Sequence, residues 1–356
     1  MSVTVYKVPR FASGSISFGA LRTSFKESSS GQIKASQLLR NASTSATNPI
    51  IPDCTENEAV SSSSNWKTSQ LRNIIKEYSL IQSGTDLNFD IDTQDWNGNL
   101  GRTIRKNVFL TGTCGSNDAT SPAVSLDATA YNLTIYAQGS ILGAAGRGGG
   151  TGSGAPDISG QTGGNAMTIV SRGNQVNVNV TYYAKVYGGG GGGERGRTGA
   201  TGSNGRCRET TRSQSGCQQG DTASCPGGWN QYNSGNWCCE WRRGCNASIW
   251  WKECERYYST SGGAGGAGGA GGLGRGYNNQ SGSLGGSAGS AGGSGGGCGA
   301  GNGGNGENGG SGGEWGSSGT GTGNSGGGGS NGAAVAGLNF IVTGDITSSS
   351  VKGNYR

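Results

Sequence analysis

The residues most able to do chemistry crowd into one stretch, Cys207 to Cys254, which holds seven of the chain's ten cysteines. Six of them, Cys217, Cys225, Cys238, Cys239, Cys245 and Cys254, are disulfide candidates. Cross-links at that density stand in for the hydrophobic core that a unit of about 50 residues struggles to build. Their connectivity is not deducible from spacing. Cys207 is left over, to pair with Cys298 or with nothing. A four-thiolate zinc site competes with the disulfides, but the stretch contains no CxxC pair. The same stretch and the residues just after it carry Trp229, Trp237, Trp241, Trp250 and Trp251, five of the eight tryptophans. Tyr232, Tyr257 and Tyr258 join them, with Arg242, Arg243, Lys252 and Arg256 interleaved. Some of these rings serve as local core. Together they exceed what so small a unit can hide. Exposed Trp, Tyr and Arg are the side chains that dominate binding hot spots, and aromatic faces stack on sugars and cations. The stretch therefore reads as a recognition surface.

Catalysis finds little here. The chain has no histidine, which removes the commonest general base and the commonest non-thiolate zinc ligand. Glu209, Asp221, Glu240, Glu253 and Glu255 show no spacing that fixes an acid/base pair. No glycine run has the GxxxxGK[ST] form of a phosphate loop. No catalytic residue, metal ligand set or cofactor is assigned. The net charge of +6 is spread without a long basic run, so no nucleic-acid partner is expected. No apolar run reaches 18 residues, so no membrane insertion is expected. Met1 to Phe11 lacks the apolar segment of a secretory signal. The cysteine order C…C…CC…C…C from Cys217 to Cys254 resembles that of inhibitor cystine-knot miniproteins, with looser spacing.

The elements that must hold this stretch differ along the chain. Residues 1–60 read as a polar docking arm with short amphipathic turns. Residues 61–138 read as a small α+β attachment domain. In it a helix capped by Ser64 or Asn65 runs through Tyr78, and strands cover 86–91, 103–110 and 133–136. Residues 139–206 form a first region of β-strands and glycine tracts, with Met167 to Val170 and the alternating Val176, Val178 and Val180 as strands. The 207–258 insert follows, then glycine tracts over 259–332 and a β segment over 333–356. A β run followed by a glycine tract recurs, which argues for stacking rather than one globule.

Nearly all of the 76 glycines follow Gln138. Many recur every third residue, as at Gly193, Gly196, Gly199, Gly202 and Gly205, and again at Gly262, Gly265, Gly268, Gly271 and Gly274. A left-handed polyproline-type helix has three residues per turn and rises about 3.1 Å per residue. Glycine at every third position gives it a bare face that a neighbour can approach. Collagen uses that spacing with proline, but none of the six prolines lies in a tract. The expected fold class is thus mixed: an α+β attachment region, then a bundle of polyglycine II helices with short strands and a disulfide-rich insert. A flexible Gly/Ser linker is the competing reading.

Ile16-Ser-Phe-Gly-Ala-Leu-Arg22 and Ile33-Lys-Ala-Ser-Gln-Leu-Leu39 resemble the start of many virion proteins of marine and cyanobacterial tailed phages. Lys185-Val-Tyr-Gly188 with its glycine run, and Asn339-Phe-Ile-Val-Thr-Gly-Asp-Ile346, look like glycine-rich modules of phage tail proteins. The arrangement is similar to the distal tail-fibre adhesins of T-even-type phages. That resemblance implies a virion tail protein, assembled in the host cytoplasm, attached to other tail proteins through residues 1–138. It also implies loops that bind a host receptor, either a glycan or an outer-membrane protein. The chain would act as a monomer on a trimeric fibre or as a homotrimer. The insert departs from the adhesin pattern and would carry the receptor contacts. A non-receptor part of the tail or baseplate is the alternative. So is an ice-binding protein like the glycine-rich springtail antifreezes.

Overall fold

The computed structural model describes residues 3–9, 40, 51–60, 62–63, 68–71, 74–150, 158–214, 230–231, 237–243, 250–323 and 326–356. For 3–9, 68–69, 209–214, 230–231, 237–243 and 250–258 it describes the backbone alone. The chain divides into two compact units. The first comprises Met1–Arg195, Gly271–Gly286 and Gly310–Arg356, and the second Gly196–Ala270 and Ser287–Gly309.

In the first unit each turn of the chain lays one strand on each of three sheets. The first turn is β2 (Ile75–Gln82), β3 (Thr85–Leu87) and β4 (Phe89–Asp90). The second is β5 (Arg105–Leu110), β6 (Thr113–Gly115) and β7 (Val124–Ala128). The third is β8 (Leu133–Ala137), β9 (Ser140–Leu142) and β10 (Met167–Ser171). The fourth starts with β11 (Val176–Val180) and β12 (Lys185–Tyr187) and ends, after the glycine-rich residues, with β17 (Val335–Leu338). β18 (Phe340–Gly344) and β19 (Val351–Lys352) begin a fifth. Like strands stack in parallel, giving the orders β2-β5-β8-β11-β18, β3-β6-β9-β12-β19 and β4-β7-β10-β17. β1 (Val3–Pro9) covers the outer edge of β2 antiparallel.

Strand alternation explains this stacking. Leu80, Val108, Ile135 and Val178 occupy one register row, are fully buried, and face the interior. Phe89, Val124, Met167 and Val335 form the matching row of the third sheet. Burying such a side chain is worth roughly 1.5–3 kcal/mol, and a single turn cannot do it alone. Corners need left-handed backbone, which asparagine tolerates best among residues with a side chain. Asn88, Asn132 and Asn339 supply it, with φ of 53°, 48° and 62°.

The structure corrects the expected fold class. The described residues have regular secondary structure that is nearly all β, with parallel sheets. They contain two short 3-10 turns, Thr55–Asn57 and Thr68–Leu71, and neither an α+β attachment region nor a helix bundle. The helix expected to run through Tyr78 is β2 from Ile75 onward, while its proposed cap, Ser64 or Asn65, lies outside the described residues. Ile74, Ile75 and Tyr78 suit a helical face, but Tyr78, Leu80 and Gln82 alternate inward, and pairing with β5 decides between the two. The strand expected over 86–91 is broken at Asn88 into β3 and β4, which belong to different sheets.

Among the described residues, the glycine tracts are neither helix nor strand, apart from Gly205 at the start of β13 (Gly205–Gln214). They run as adjacent segments joined by backbone hydrogen bonds at three-residue steps. In the first unit the amides of Gly143, Gly146 and Gly149 donate to Tyr187, Gly190 and Gly193. In the second, Gly196, Gly199 and Gly202 donate to Gly269, Gly266 and Gly263, each at 2.8 Å. The number of glycines per step matches the number of neighbours. In the Gly-Gly-Ala run, Gly265 lies on the Gly199 carbonyl and Gly266 on the Ser290 carbonyl, so that a Cβ would fall 1.7 and 2.0 Å from those oxygens. The third position, Ala264 or Ala267, is exposed.

Candidate functional site

The 207–258 insert is built on a four-stranded antiparallel sheet in the second unit. Its strands are β13 (Gly205–Gln214), β14 (Asn230–Gln231), β15 (Trp237–Arg243) and β16 (Trp250–Thr260), in the order β13-β16-β15-β14. Residues directly opposite in an antiparallel pair share a face of the sheet. The register sets Trp237 opposite Arg256, Trp241 opposite Lys252, and Arg243 opposite Trp250. These positions alternate along β16, so all three aromatic–cation pairs fall on one face. Tyr258, opposite Cys207, and Cys254, opposite Cys239, lie on that face too. The other face receives Trp251 opposite Arg242, Tyr257 opposite Arg208, and Glu240 opposite Glu253. The aromatic and basic residues singled out for recognition are thus divided. Trp237, Trp241, Arg243, Trp250 and Tyr258 share one side, while Arg242, Trp251 and Tyr257 share the other. Trp229 and Tyr232 lie outside the described residues, as do Cys217, Cys225 and Cys245.

Of the cysteine alternatives, one is decided. Cys207 is bonded to Cys298, with Cα atoms 4.9 Å apart and a sequence separation of 91. The bond fixes the start of β13, and so of the insert, to a later glycine-rich segment of the second unit. Cys54 and Cys114 are free and buried. Burial pushes both thiols up to about 12, which keeps them protonated and unreactive.

A second constellation, on the first unit, escaped sequence reading. The outer face of the sheet β3-β6-β9-β12-β19 carries two adjacent register rows. Thr85, Thr113, Ser140 and Lys185 form one, and Leu142, Tyr187 and Lys352 belong to the other. Tyr277 and Trp315 rise over this face and flank a solvent-open cavity of about 520 Å³. Tyr277 sits on Gly115, where an added Cβ would lie 2.3 Å from the ring. Its turn is pinned. Tyr277 N–H donates to Gly143, and Asn278 accepts from Ala145 N–H at 2.8 Å. Tyr187 and Trp315 are tilted rings with centroids 5.6 Å apart. Lys352 Nζ stands 5.0 Å from the Tyr187 centroid, and the Arg275 guanidinium carbon 5.9 Å from that of Trp315. Tyr187 Oη donates to the Ser349 carbonyl, and burial raises its pKa despite Arg275 nearby. The one signal in the sequence was Trp315, a lone tryptophan inside a glycine tract.

Neither a curated protein nor a solved structure matches the chain. A family model does. Its match starts at residue 76 in β2, crosses the first three turns of the solenoid and the opening strands of the fourth, and ends within the insert, a little under half of the chain. Residues 76–248 are similar to the phage tail fibre adhesin Gp38, a structural, non-enzymatic kind of virion tail protein, and this match supports a phage tail-fibre adhesin role.

Proposed function

We propose that the chain is an adhesin at a tail-fibre tip that recognises a receptor on the host surface through its 207–258 insert. Residues 1–138 make the attachment to other tail proteins. The receptor is a glycan or an outer-membrane protein. The observation that carries this reading is the register of β15 on β16, which gathers three aromatic–cation pairs on one face of the insert sheet. Flat rings beside cations suit sugar rings and acidic groups, and arginine and tryptophan are the strongest contributors at protein interfaces. The glycine tracts serve as support. Their close backbone approach and repeated hydrogen bonds leave few soft side chains to deform.

The test is adsorption of phage particles carrying Trp237→Ala, Trp241→Ala and Trp250→Ala together. Particles that assemble with normal tails should adsorb to host cells far more slowly. Unchanged adsorption by such particles overturns the assignment and leaves a structural tail component as the reading.

A further inference from the structure

We propose that the cavity on the outer face of β3-β6-β9-β12-β19 binds an anionic saccharide, a mono- or disaccharide carrying a carboxylate or a phosphate. Its volume of about 520 Å³ suits a ligand of that size. Three features of the lining set the class.

The floor is hydroxylic. Thr85, Thr113 and Ser140 stand in register on three consecutive strands, so their hydroxyls repeat at the strand spacing of roughly 4.8 Å. Each can donate and accept, as a row of sugar hydroxyls requires. Apolar ligands would leave these groups unpaired, at a cost.

The walls are aromatic and set in place. Tyr277 is seated on the bare backbone of Gly115 and Trp315 is packed with Tyr187 and Leu142. The turn that carries Tyr277 is held by the Asn278 and Asn279 side chains, with Asn279 donating to Gly274 and Gly282 at 2.8 Å each. Rings fixed in advance lose little freedom on binding.

The charge is one-signed. Lys185, Arg275 and Lys352 line the cavity and no carboxylate does. Glu314, which is not among the lining residues, engages Arg275 through a 2.9 Å contact. Among the described residues, neither Lys185 nor Lys352 is paired with a carboxylate. Two lysines without a resident anion, beside an arginine held by Glu314, favour an acidic ligand over a neutral one.

The experiment measures binding of glucuronic acid, glucose 6-phosphate and glucose to the purified full chain by calorimetry. At least one acid should bind about tenfold more tightly than glucose, a preference that strong salt should erase. Whichever acid binds more tightly identifies the anionic group. The Lys185→Gln, Lys352→Gln double variant changes only two partly or fully exposed side chains and should lose most of that preference. The insert variant lacking Trp237, Trp241 and Trp250 should keep it, so this site and the proposed receptor face fail separately. Equal binding of acid and neutral sugar, no binding of either acid, an unchanged double variant, or a loss in the insert variant would each overturn the proposal.

Discussion

Arg275 donates from Nη1 to Glu314 Oε2 at 2.9 Å, and the other carboxylate oxygen accepts from both the backbone N–H and the hydroxyl of Ser283. The Arg275 hydrogen bond first, and the Ser283 amide next, pull the Glu314 carboxyl down to about 2 from an ordinary 4.5. A depressed folded-state pKa stabilises above the unfolded value and is lost as the pH falls through the folded one. The loss should therefore run from about pH 4.5 to about pH 2. Glu314 is more than half exposed, so solvent screening limits the effect to about 1 kcal/mol or less. Glu314→Gln should flatten this part of the acid unfolding curve. A variant curve that keeps the parent's slope across that window would show that the pair contributes nothing.

Lys106 gives a slope of the same sign at the alkaline end. Lys106 is buried in the solenoid, in register with Tyr78 and Leu133 on the flanking strands, and its ammonium donates to the Arg102 carbonyl at 2.7 Å and the Ile104 carbonyl at 2.6 Å. Burial lowers its pKa from 10.5 to about 7. Between these values the unfolded chain binds more protons than the folded one, so stability rises with pH from about 7 to 10.5. Lys106→Met removes the titrating group while filling similar space, and should abolish that rise. Thermal unfolding of both proteins at the two ends of the window checks it. A rise of equal size in the variant would rule out Lys106 as its source.

Lys106 also marks where the sequence stops being readable. Patterns that depend on near neighbours came through: Val176, Val178 and Val180 alternate and form β11. Glycine at every third position matches the three-residue interval of the hydrogen bonds. The class drawn from those patterns failed, because helix and strand periodicities overlap around Ile74 to Tyr78 and only pairing with β5 separates them. Polarity misled inside the solenoid, where Gln82, Asp86 and Lys106 are buried beside one another's strands. Gln82 Nε2 satisfies Asp86 Oδ2 at 2.8 Å, which no local pattern announces. The anionic-ligand cavity was invisible for a related reason. Thr85, Ser140, Lys185, Arg275 and Lys352 meet only through strand register and a long excursion of the chain. In the insert, by contrast, residue types were legible, but their division between two faces depended on the offset between β15 and β16.

Glycine in the tracts is required by contact, and its phase predicts which substitutions the fold accepts. A Cβ on Gly265 would sit 1.7 Å from the Gly199 carbonyl oxygen, so backbone must move to admit it. Gly265→Ala should destabilise the second unit by about 3 kcal/mol, the upper range for overpacking a close-packed site. Ala267, two residues on, is exposed, and Ala267→Ser should stay within about 0.5 kcal/mol of the parent. Denaturant unfolding of the two variants separates phase from composition. Equal effects would mean that the glycine content matters and its position does not.

The four cysteines whose state is described should part into two chemical classes. Cys207 and Cys298, at a sequence separation of 91, close a long loop, and disulfides typically stabilise by about 2–4 kcal/mol, more for longer loops, largely through the unfolded chain. Cys54 and Cys114 are buried thiols raised to about 12, with almost no thiolate near neutral pH. Alkylation of the native protein without reductant should therefore leave all four unmodified, for two different reasons. Adding reductant under native conditions should expose Cys207 and Cys298 to the reagent while Cys54 and Cys114 still resist. Unfolding without reductant should do the reverse. Peptide mass spectrometry reads each site separately. Labelling of Cys54 or Cys114 in the folded chain at the rate of an exposed thiol would contradict their burial in the solenoid. Labelling of Cys207 before reduction would contradict the cross-link that ties the insert to its support.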